Sequence, residues 1–127
     1  MTKYHNRRVV AGGLKHDSRK EARRWYDLTL LERAGAISEL RRQVKFVLIP
    51  AQVEAVERYS PTTGKRLKDG TRTIERECAY IADFVYKQDG NLVVEDVKGY
   101  KDGTAYDLFV IKRKIMLYIH GIHVQIV

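Results

Sequence analysis

Residues 44–49 (VKFVLI) form a largely apolar run, with one polar position at Lys45, that is typical of a β-strand. Val44, Phe46 and Leu48 fall on one face of this predicted strand, because successive side chains point to opposite sides of a sheet. The chain then becomes polar and rich in turn-forming residues over residues 51–77. We predict an inserted basic loop there, or a second hairpin.

Two apolar runs, rich in β-branched and aromatic residues, flank the dipeptide Asp89-Gly90 within residues 80–99. This dipeptide suits the positive φ angles of a tight type I′ turn, so the stretch is predicted to be a β-hairpin. With a two-residue loop, the register places Asp83 directly opposite Asp96. Opposed side chains in such a pair have Cβ atoms about 4.5–5.5 Å apart, so two carboxylates would face each other.

Helical patterns flank the predicted strands on both sides. Ser18 followed by Glu21 gives the S-x-x-E signature of a capping box, and Gly35 suits the end of that helix. Thr104 and Asp107 give a second candidate capping box. An apolar stripe at helical spacing follows it, made of Leu108, Ile111, Ile115 and Ile119. The chain therefore has one predicted helix before the strands and one after them.

The predicted order is a helix, a strand, the hairpin, a second helix and a short closing strand over residues 123–127. This mixture of elements indicates an α/β (α+β) fold. We expect residues 1–16 to be a basic, mobile N-terminal arm, because they lack periodicity and contain Gly12-Gly13. Residues 17–127 are expected to form a single domain, since a chain of 127 residues suffices for one hydrophobic core.

The chain is strongly basic, with a formal net charge of +8. Residues 1–24 alone hold eight Lys or Arg against two acidic residues. Basic clusters bind nucleic acid by releasing counterions from phosphates, although a solvated, solubilising face has the same composition. Candidate nucleic-acid contacts are basic residues of the N-terminal segment, the 51–77 insertion and the second helix, namely Arg7, Arg8, Lys15, Arg19, Lys20, Lys65, Arg66 and Lys112.

Cysteine content and hydropathy exclude several classes of protein. A lone cysteine, Cys78, rules out an intramolecular disulfide framework and a cysteine zinc cluster. No apolar run approaches the roughly 18 residues of a transmembrane helix, and the polar, basic start of the chain carries no targeting signal. We therefore expect a cytoplasmic protein without a membrane partner.

The opposed acids of the predicted hairpin require a neutralising partner, because like charges facing each other across two strands are destabilising. A hard divalent cation can neutralise them, since Mg²⁺ is commonly held by one or two carboxylates together with water and phosphate oxygens. Lys98 lies two residues after Asp96 and therefore projects from the same face. Glu95 has the opposite strand parity, and a one-residue slip in register would exchange its role with that of Asp96.

This arrangement, Asp83 followed by Asp96-Val97-Lys98, resembles the PD-(D/E)XK nuclease superfamily. Ala82 stands where the name of the motif has proline. The chain is more specifically similar to small phage and prophage endonuclease-like proteins related to Holliday junction resolvases. The segments that carry this likeness are Ser18-x-x-Glu21-Ala22, Gln43-Val44-x-Phe46, residues 80–84, residues 95–99 and residues 112–114.

The resemblance implies a restriction-endonuclease-like core of order α-β-β-β-α-β, with a central mixed sheet flanked by helices. It also implies a metal-dependent endonuclease that hydrolyses DNA phosphodiester bonds with Mg²⁺ or Mn²⁺. Asp83, Asp96 and the backbone carbonyl of Val97 would hold the ion. Lys98 would orient or help deprotonate the attacking water, or stabilise developing charge. Glu21 would complete the metal shell directly or through water, although the capping box also explains this residue.

The resemblance further implies a branched or structured DNA substrate, in a bacterial host cell containing a phage or prophage. A homodimer would supply the two active sites that symmetric strand cuts require. Two alternatives stay open. One is a non-catalytic nucleic-acid-binding module on the same fold, and the other is a nuclease that acts on RNA or plain duplex within a larger assembly. The sequence does not distinguish Mg²⁺ from Mn²⁺, because both accept oxygen ligands.

Overall fold

The computed structural model of the chain describes residues 9–11, 14–16, 18–99 and 101–127, with side chains from Ser18 onward. These ranges fold into a mixed α+β structure, as predicted. In chain order the elements are β1 (Val9–Ala11), β2 (Leu14–His16), α1 (Arg19–Arg33), β3 (Ser38–Ile49), β4 (Gln52–Tyr59), β5 (Arg66–Glu75), β6 (Cys78–Gln88), β7 (Asn91–Asp96), α2 (Thr104–His120) and β8 (Gln125–Ile126). Neither of these helices is long and apolar enough to cross a membrane.

The central sheet has the strand order β3-β6-β7-β8. The first three strands run antiparallel and β8 runs parallel to β7, so the sheet is mixed. Asp89 and Gly90 both have positive φ, at 52° and 79°, as the predicted turn requires. The predicted register of this hairpin is confirmed, because its last pair is Phe84 with Glu95. One further step outward sets Asp83 opposite Asp96.

Two further hairpins lie outside the central sheet. β1 and β2 pair antiparallel through the backbone of residues 9–11 and 14–16, for which the sequence predicts no regular structure. Two short runs that flank Gly12-Gly13 in the sequence are compatible with such a pair of strands. β4 and β5 pair antiparallel within the polar 51–77 insertion. Arg7 and Arg8, two of the predicted nucleic-acid contacts, lie outside the described residues.

Two hydrophobic clusters pack against the central sheet, one under each helix. Phe109 and Met116 of α2 belong to one cluster, and Leu28 of α1 belongs to the other. Phe84 and Val85 are adjacent on β6 but join different clusters. Because neighbouring side chains of a strand point to opposite faces, α1 and α2 cover opposite faces of the sheet.

Helix α1 has the ends that its sequence predicts. The Ser18 hydroxyl accepts a hydrogen bond from the backbone N–H of Glu21 at 3.1 Å, which caps the first turn. At the other end, Gly35 has φ 80° and donates to the carbonyl of Glu32, while Ala36 donates to the carbonyl of Leu31. These two bonds form a Schellman motif, which satisfies the last carbonyls of the helix.

Helix α2 differs from its prediction at its start and in its buried face. Thr104 is already the first helical residue, so the predicted capping box is wrong; the N-cap is Gly103, which has no side chain to cap the helix. Of the predicted stripe, Leu108, Ile111 and Ile119 are more than half exposed, and Ile115 alone packs against the core. A second stripe containing Phe109 is buried instead. Most of this helix is apolar, so periodicity alone could not choose between the two faces.

Candidate functional site

One cavity of about 900 Å³ lies beside the first half of β6, the end of β7 and the N-terminal parts of both helices. Its lining includes Glu21, Asp83, Asp96, Val97 and Lys98. These five residues are the ones that the sequence predicts to carry the chemistry. The fold therefore brings them together around a single cavity.

The ionisation of Asp83 is strongly perturbed in this cavity. Its Oδ2 accepts a hydrogen bond from the backbone N–H of Val97 at 2.8 Å, and its Oδ1 accepts one from Gln43 Nε2 at 3.2 Å. Burial and the charge of Asp96, followed by the charge of Glu21, raise the pKa of Asp83 to about 7 against the lowering effect of the Val97 bond. The site thus concentrates negative charge that a proton or a cation would neutralise.

Asp96 and Lys98 form an ion pair on one face of the chain, as their spacing predicts. The distance between Lys98 Nζ and Asp96 Oδ2 is 2.6 Å, and Asp96 is buried. The same ammonium lies 4.1 Å from the centre of the Phe109 ring of α2, a cation–π contact. Lys98 is therefore held at the cavity by a carboxylate and by an aromatic face.

Glu21 reaches the cavity from the first turn of α1, where it is 3% exposed. Its backbone N–H makes the capping bond to Ser18, while its carboxylate Oε1 accepts a hydrogen bond from Gln43 Nε2 at 3.2 Å. The backbone of Glu21 thus serves the helix cap, and its carboxylate is directed toward the other acids.

Gln43 and Tyr80 line the same cavity, and the sequence analysis gave neither a role. Tyr80 is buried, and its hydroxyl has no hydrogen-bond partner among the described residues. Burial, followed by the charge of Asp96, raises the pKa of this hydroxyl, so it stays protonated. Both residues stand at ordinary sheet positions in the sequence, and the pairing of β3 with β6 was needed to find them.

Lysines border the acidic cavity. Lys20 and Lys112, both predicted nucleic-acid contacts, line it, and Lys20 Nζ donates to the backbone carbonyl of Lys98 at 2.9 Å. Arg19 is exposed at the start of α1 and is not among the described residues that line the cavity. Lys15 belongs to β2, of which the backbone alone is described. The structure thus brings two of the predicted basic residues to the acids.

Lys65 and Arg66 lie at the tip of the β4–β5 hairpin and are not part of the described cavity lining. Arg66 is engaged in ion pairs with Asp69 at 3.1 Å and with Glu57 at 3.9 Å. Its charge is therefore partly neutralised within the hairpin, which weakens the case for a phosphate contact.

Glu95, the neighbour of Asp96, points to the opposite face as its parity predicts. It is 1% exposed and accepts hydrogen bonds from Arg24 at 2.8 and 2.6 Å and from the hydroxyl of Tyr86. Burial, followed by the bond to Glu95, raises the pKa of Tyr86 to about 12. The contacts of Glu95 with Arg24 and Tyr86 join α1 to the central sheet, so the burial of this acid has a structural reason.

The donor set of the cavity fits a hard divalent cation. Glu21, Asp83 and Asp96 offer carboxylate oxygens, the ligands that Mg²⁺ and Mn²⁺ prefer. Within residues 18–99 and 101–127, no three His, Cys, Asp or Glu side chains are grouped closely enough to hold an ion. Gln43 hydrogen-bonds to Glu21 and Asp83, and Lys98 forms an ion pair with Asp96.

The fold and cavity define an α+β protein in which Asp83 and Asp96 of the mixed sheet and Glu21 of α1 line one cavity together with lysines. The chain belongs to the family described as protein of unknown function (DUF1064), whose model matches residues 1–123. No curated protein and no solved structure matches the chain.

Proposed function

We propose that this protein is a metal-dependent endodeoxyribonuclease of the PD-(D/E)XK type. The observation that carries the proposal is the convergence of Glu21, Asp83, Asp96 and Lys98 on one cavity. Burying Glu21 and Asp96 at one cavity is costly for a fold, and a carboxylate with a perturbed pKa in a cleft, such as Asp83, is typical of a functional site. The adjacent Lys20 would attract a phosphate backbone to those acids.

The order of the elements supports a restriction-endonuclease-like core. With the β1–β2 and β4–β5 hairpins set aside, the chain runs α1, β3, β6, β7, α2 and β8. This succession is compatible with the α-β-β-β-α-β order that the resemblance implies. The acids and the lysine of the motif then lie on β6, on β7 and just after it.

Asp83, Asp96 and the carbonyl of Val97 would hold Mg²⁺ or Mn²⁺, with Glu21 completing the shell directly or through water. The backbone N–H of Val127 donates to the carbonyl of Asp96, and the carbonyl of Val127 accepts from the N–H of Lys98. The N–H of Val97, which lies between these two residues, points the other way and donates to the carboxylate of Asp83. Because the N–H and C=O of a strand residue point to the same neighbour, this supports a Val97 carbonyl on the Asp83 side. When bound, the ion would supply positive charge for the phosphate and an activated water.

The chain's own lysines would bind the substrate and act on the attacking water or on the developing charge. Lys20 and Lys112 would bind phosphates at the rim of the cavity. Lys98 Nζ would orient the attacking water or stabilise the developing phosphate charge, because it is fixed beside Asp96. The substrate in this proposal is branched or structured phage DNA, cut by a homodimer in the bacterial host.

Cleavage of a set of labelled substrates tests this proposal. Four-way junction, flap, single-stranded, duplex DNA and RNA would each be incubated with Mg²⁺, Mn²⁺ or EDTA. We expect metal-dependent cutting that favours the junction and is lost in Asp96→Asn. Asp27→Asn, an exposed change on α1, is the matched control and should cut normally. Tight binding of the junction with no cutting in any metal would favour a non-catalytic nucleic-acid-binding module. Cutting of RNA or plain duplex alone would favour a nuclease that acts on those substrates within a larger assembly.

A further inference from the structure

Gln43 has an unusual backbone conformation for its place in a strand. It lies inside β3 with φ 53°, in the left-handed region that residues other than glycine rarely adopt. The pairs Arg42 with Phe84 and Val44 with Ala82 set Gln43 directly opposite Asp83 of β6. Strain of this kind persists where the surroundings maintain it, and it clusters at functional sites.

The other left-handed residue of β3 gives a useful comparison. Glu39 has φ 55° and lies within a register shift between Ser38 and Arg41, so a β-bulge accounts for its conformation. Around Gln43 the register with β6 runs unbroken from Arg41 to Val47. The left-handed conformation of Gln43 is therefore local and is not explained by strand pairing.

The side chain of Gln43 connects two acids from different elements. Its Nε2 donates to Glu21 Oε1 of α1 and to Asp83 Oδ1 of β6, at 3.2 Å each. An amide can meet two carboxylates only through its NH₂ group, since ionised carboxylates offer acceptors alone. The NH₂ group of Gln43 is thus the part of the side chain that meets both acids.

We propose that Gln43 is a positioning residue, whose amide holds Glu21 and Asp83 together so that they can bind one divalent cation. This inference rests on the proposed function. The neutral amide offsets the repulsion between two acids without occupying every lone pair of their oxygens. Residues that orient metal ligands by hydrogen bonds typically change metal affinity or activity by about 10–100-fold when they are removed.

Two substitutions separate the amide from the backbone. Gln43→Gly removes the amide and relieves the positive φ, whereas Gln43→Ala removes the amide and keeps the strain. We expect both to raise the cation concentration for half-maximal junction cleavage by about 10–100-fold, with most of kcat recovered at saturating cation. Calorimetric titration of Mn²⁺ into each full-length variant without DNA should show a Kd raised in the same direction.

Glu39→Gly is the matched control, because it relieves the same backbone strain at an exposed residue whose side chain pairs with Lys87 at 3.0 Å. It should leave Mn²⁺ affinity and cation dependence unchanged. Melting temperatures in EDTA would verify that each variant is folded.

Three outcomes would overturn the inference. Wild-type cation dependence and affinity in Gln43→Gly would show that the amide has no role. A normal Gly variant beside an impaired Ala variant would reduce Gln43 to a backbone role. A wild-type protein that neither binds Mn²⁺ nor cleaves any substrate would contradict the proposed function together with this inference, and that result differs from the other two.

Discussion

Asp83 and Asp96 face each other across the β6–β7 hairpin, one step beyond the Phe84–Glu95 pair that ends the ladder. After burial, the charge of Asp96 is the largest cause that raises the pKa of Asp83 to about 7. The fold thus keeps two like charges close beside a cavity. Arrangements of this kind typify sites that bind or react rather than sites that stabilise.

Removing the charge of Asp83 should stabilise the protein at alkaline pH. A carboxyl whose pKa rises from an ordinary 3.8 to about 7 on folding favours the native state when protonated, so this stability is lost as pH increases through 7. The side chain in Asp83→Asn does not ionise, so the variant does not lose this stability as pH increases. In EDTA we expect its melting temperature to exceed that of wild type by about 4 °C or more at pH 8, and by much less at pH 5. An equal difference at both pH values would contradict the account.

Lys98 should be needed for cleavage and should contribute little to DNA affinity. Lys98→Met removes the amine beside Asp96, and we expect kcat for the junction to fall by roughly 10²–10⁴-fold, the range for a lost acid–base group. Junction affinity measured in EDTA should change by a few-fold. Lys114→Met, an exposed change on α2, serves as the control. Cleavage that survives Lys98→Met at the wild-type rate would remove Lys98 from the chemistry.

Arg24 should matter for stability and not for chemistry. Arg24→Leu leaves the buried Glu95 with the hydroxyl of Tyr86 but without its guanidinium, and breaking a buried pair from one side is strongly destabilising. We expect urea denaturation to show a loss of about 3 kcal/mol in the free energy of unfolding. The neighbouring exposed change Arg23→Leu should cost about 0.5 kcal/mol or less. Similar losses in both variants would argue against the buried pair.

The lysines at the cavity should contact DNA more than the basic tip of the β4–β5 hairpin. The double variant Lys20→Ala, Lys112→Ala should reduce the slope of log K against log salt by about 2, because each phosphate contact contributes roughly one. The double variant Lys65→Ala, Arg66→Ala should change it less, since Arg66 already pairs with acids. A larger effect from the hairpin pair would place the DNA path over that hairpin.

Features set by local chemistry were predictable from the sequence. The Asp89-Gly90 turn fixed the hairpin register, and strand parity then put Asp83, Asp96 and Lys98 on one side. The Ser18 cap of α1 followed from a short motif in the same way. In each case residues a few positions apart in sequence, or joined by a tight turn, determine the geometry.

Features that depend on distant pairing were not predictable. Gln43 meets Asp83 because β3 pairs with β6 across the inserted β4–β5 hairpin, and no short-range signal reports that register. The buried face of α2 was also missed, since the helix offers two apolar stripes and tertiary packing selects the one with Phe109. The Arg24–Glu95 contact likewise joins residues far apart in sequence.

The central claim is that the acids of this cavity support metal-dependent hydrolysis of DNA. Single-turnover cleavage of a labelled four-way junction tests it most directly: the complex is formed in EDTA, and excess Mg²⁺ starts the reaction. We predict that wild type yields product with a new 5′ or 3′ end, while Asp96→Asn binds the junction equally well or better and yields none. Equal product from both proteins, or none from wild type in either Mg²⁺ or Mn²⁺, would contradict the claim.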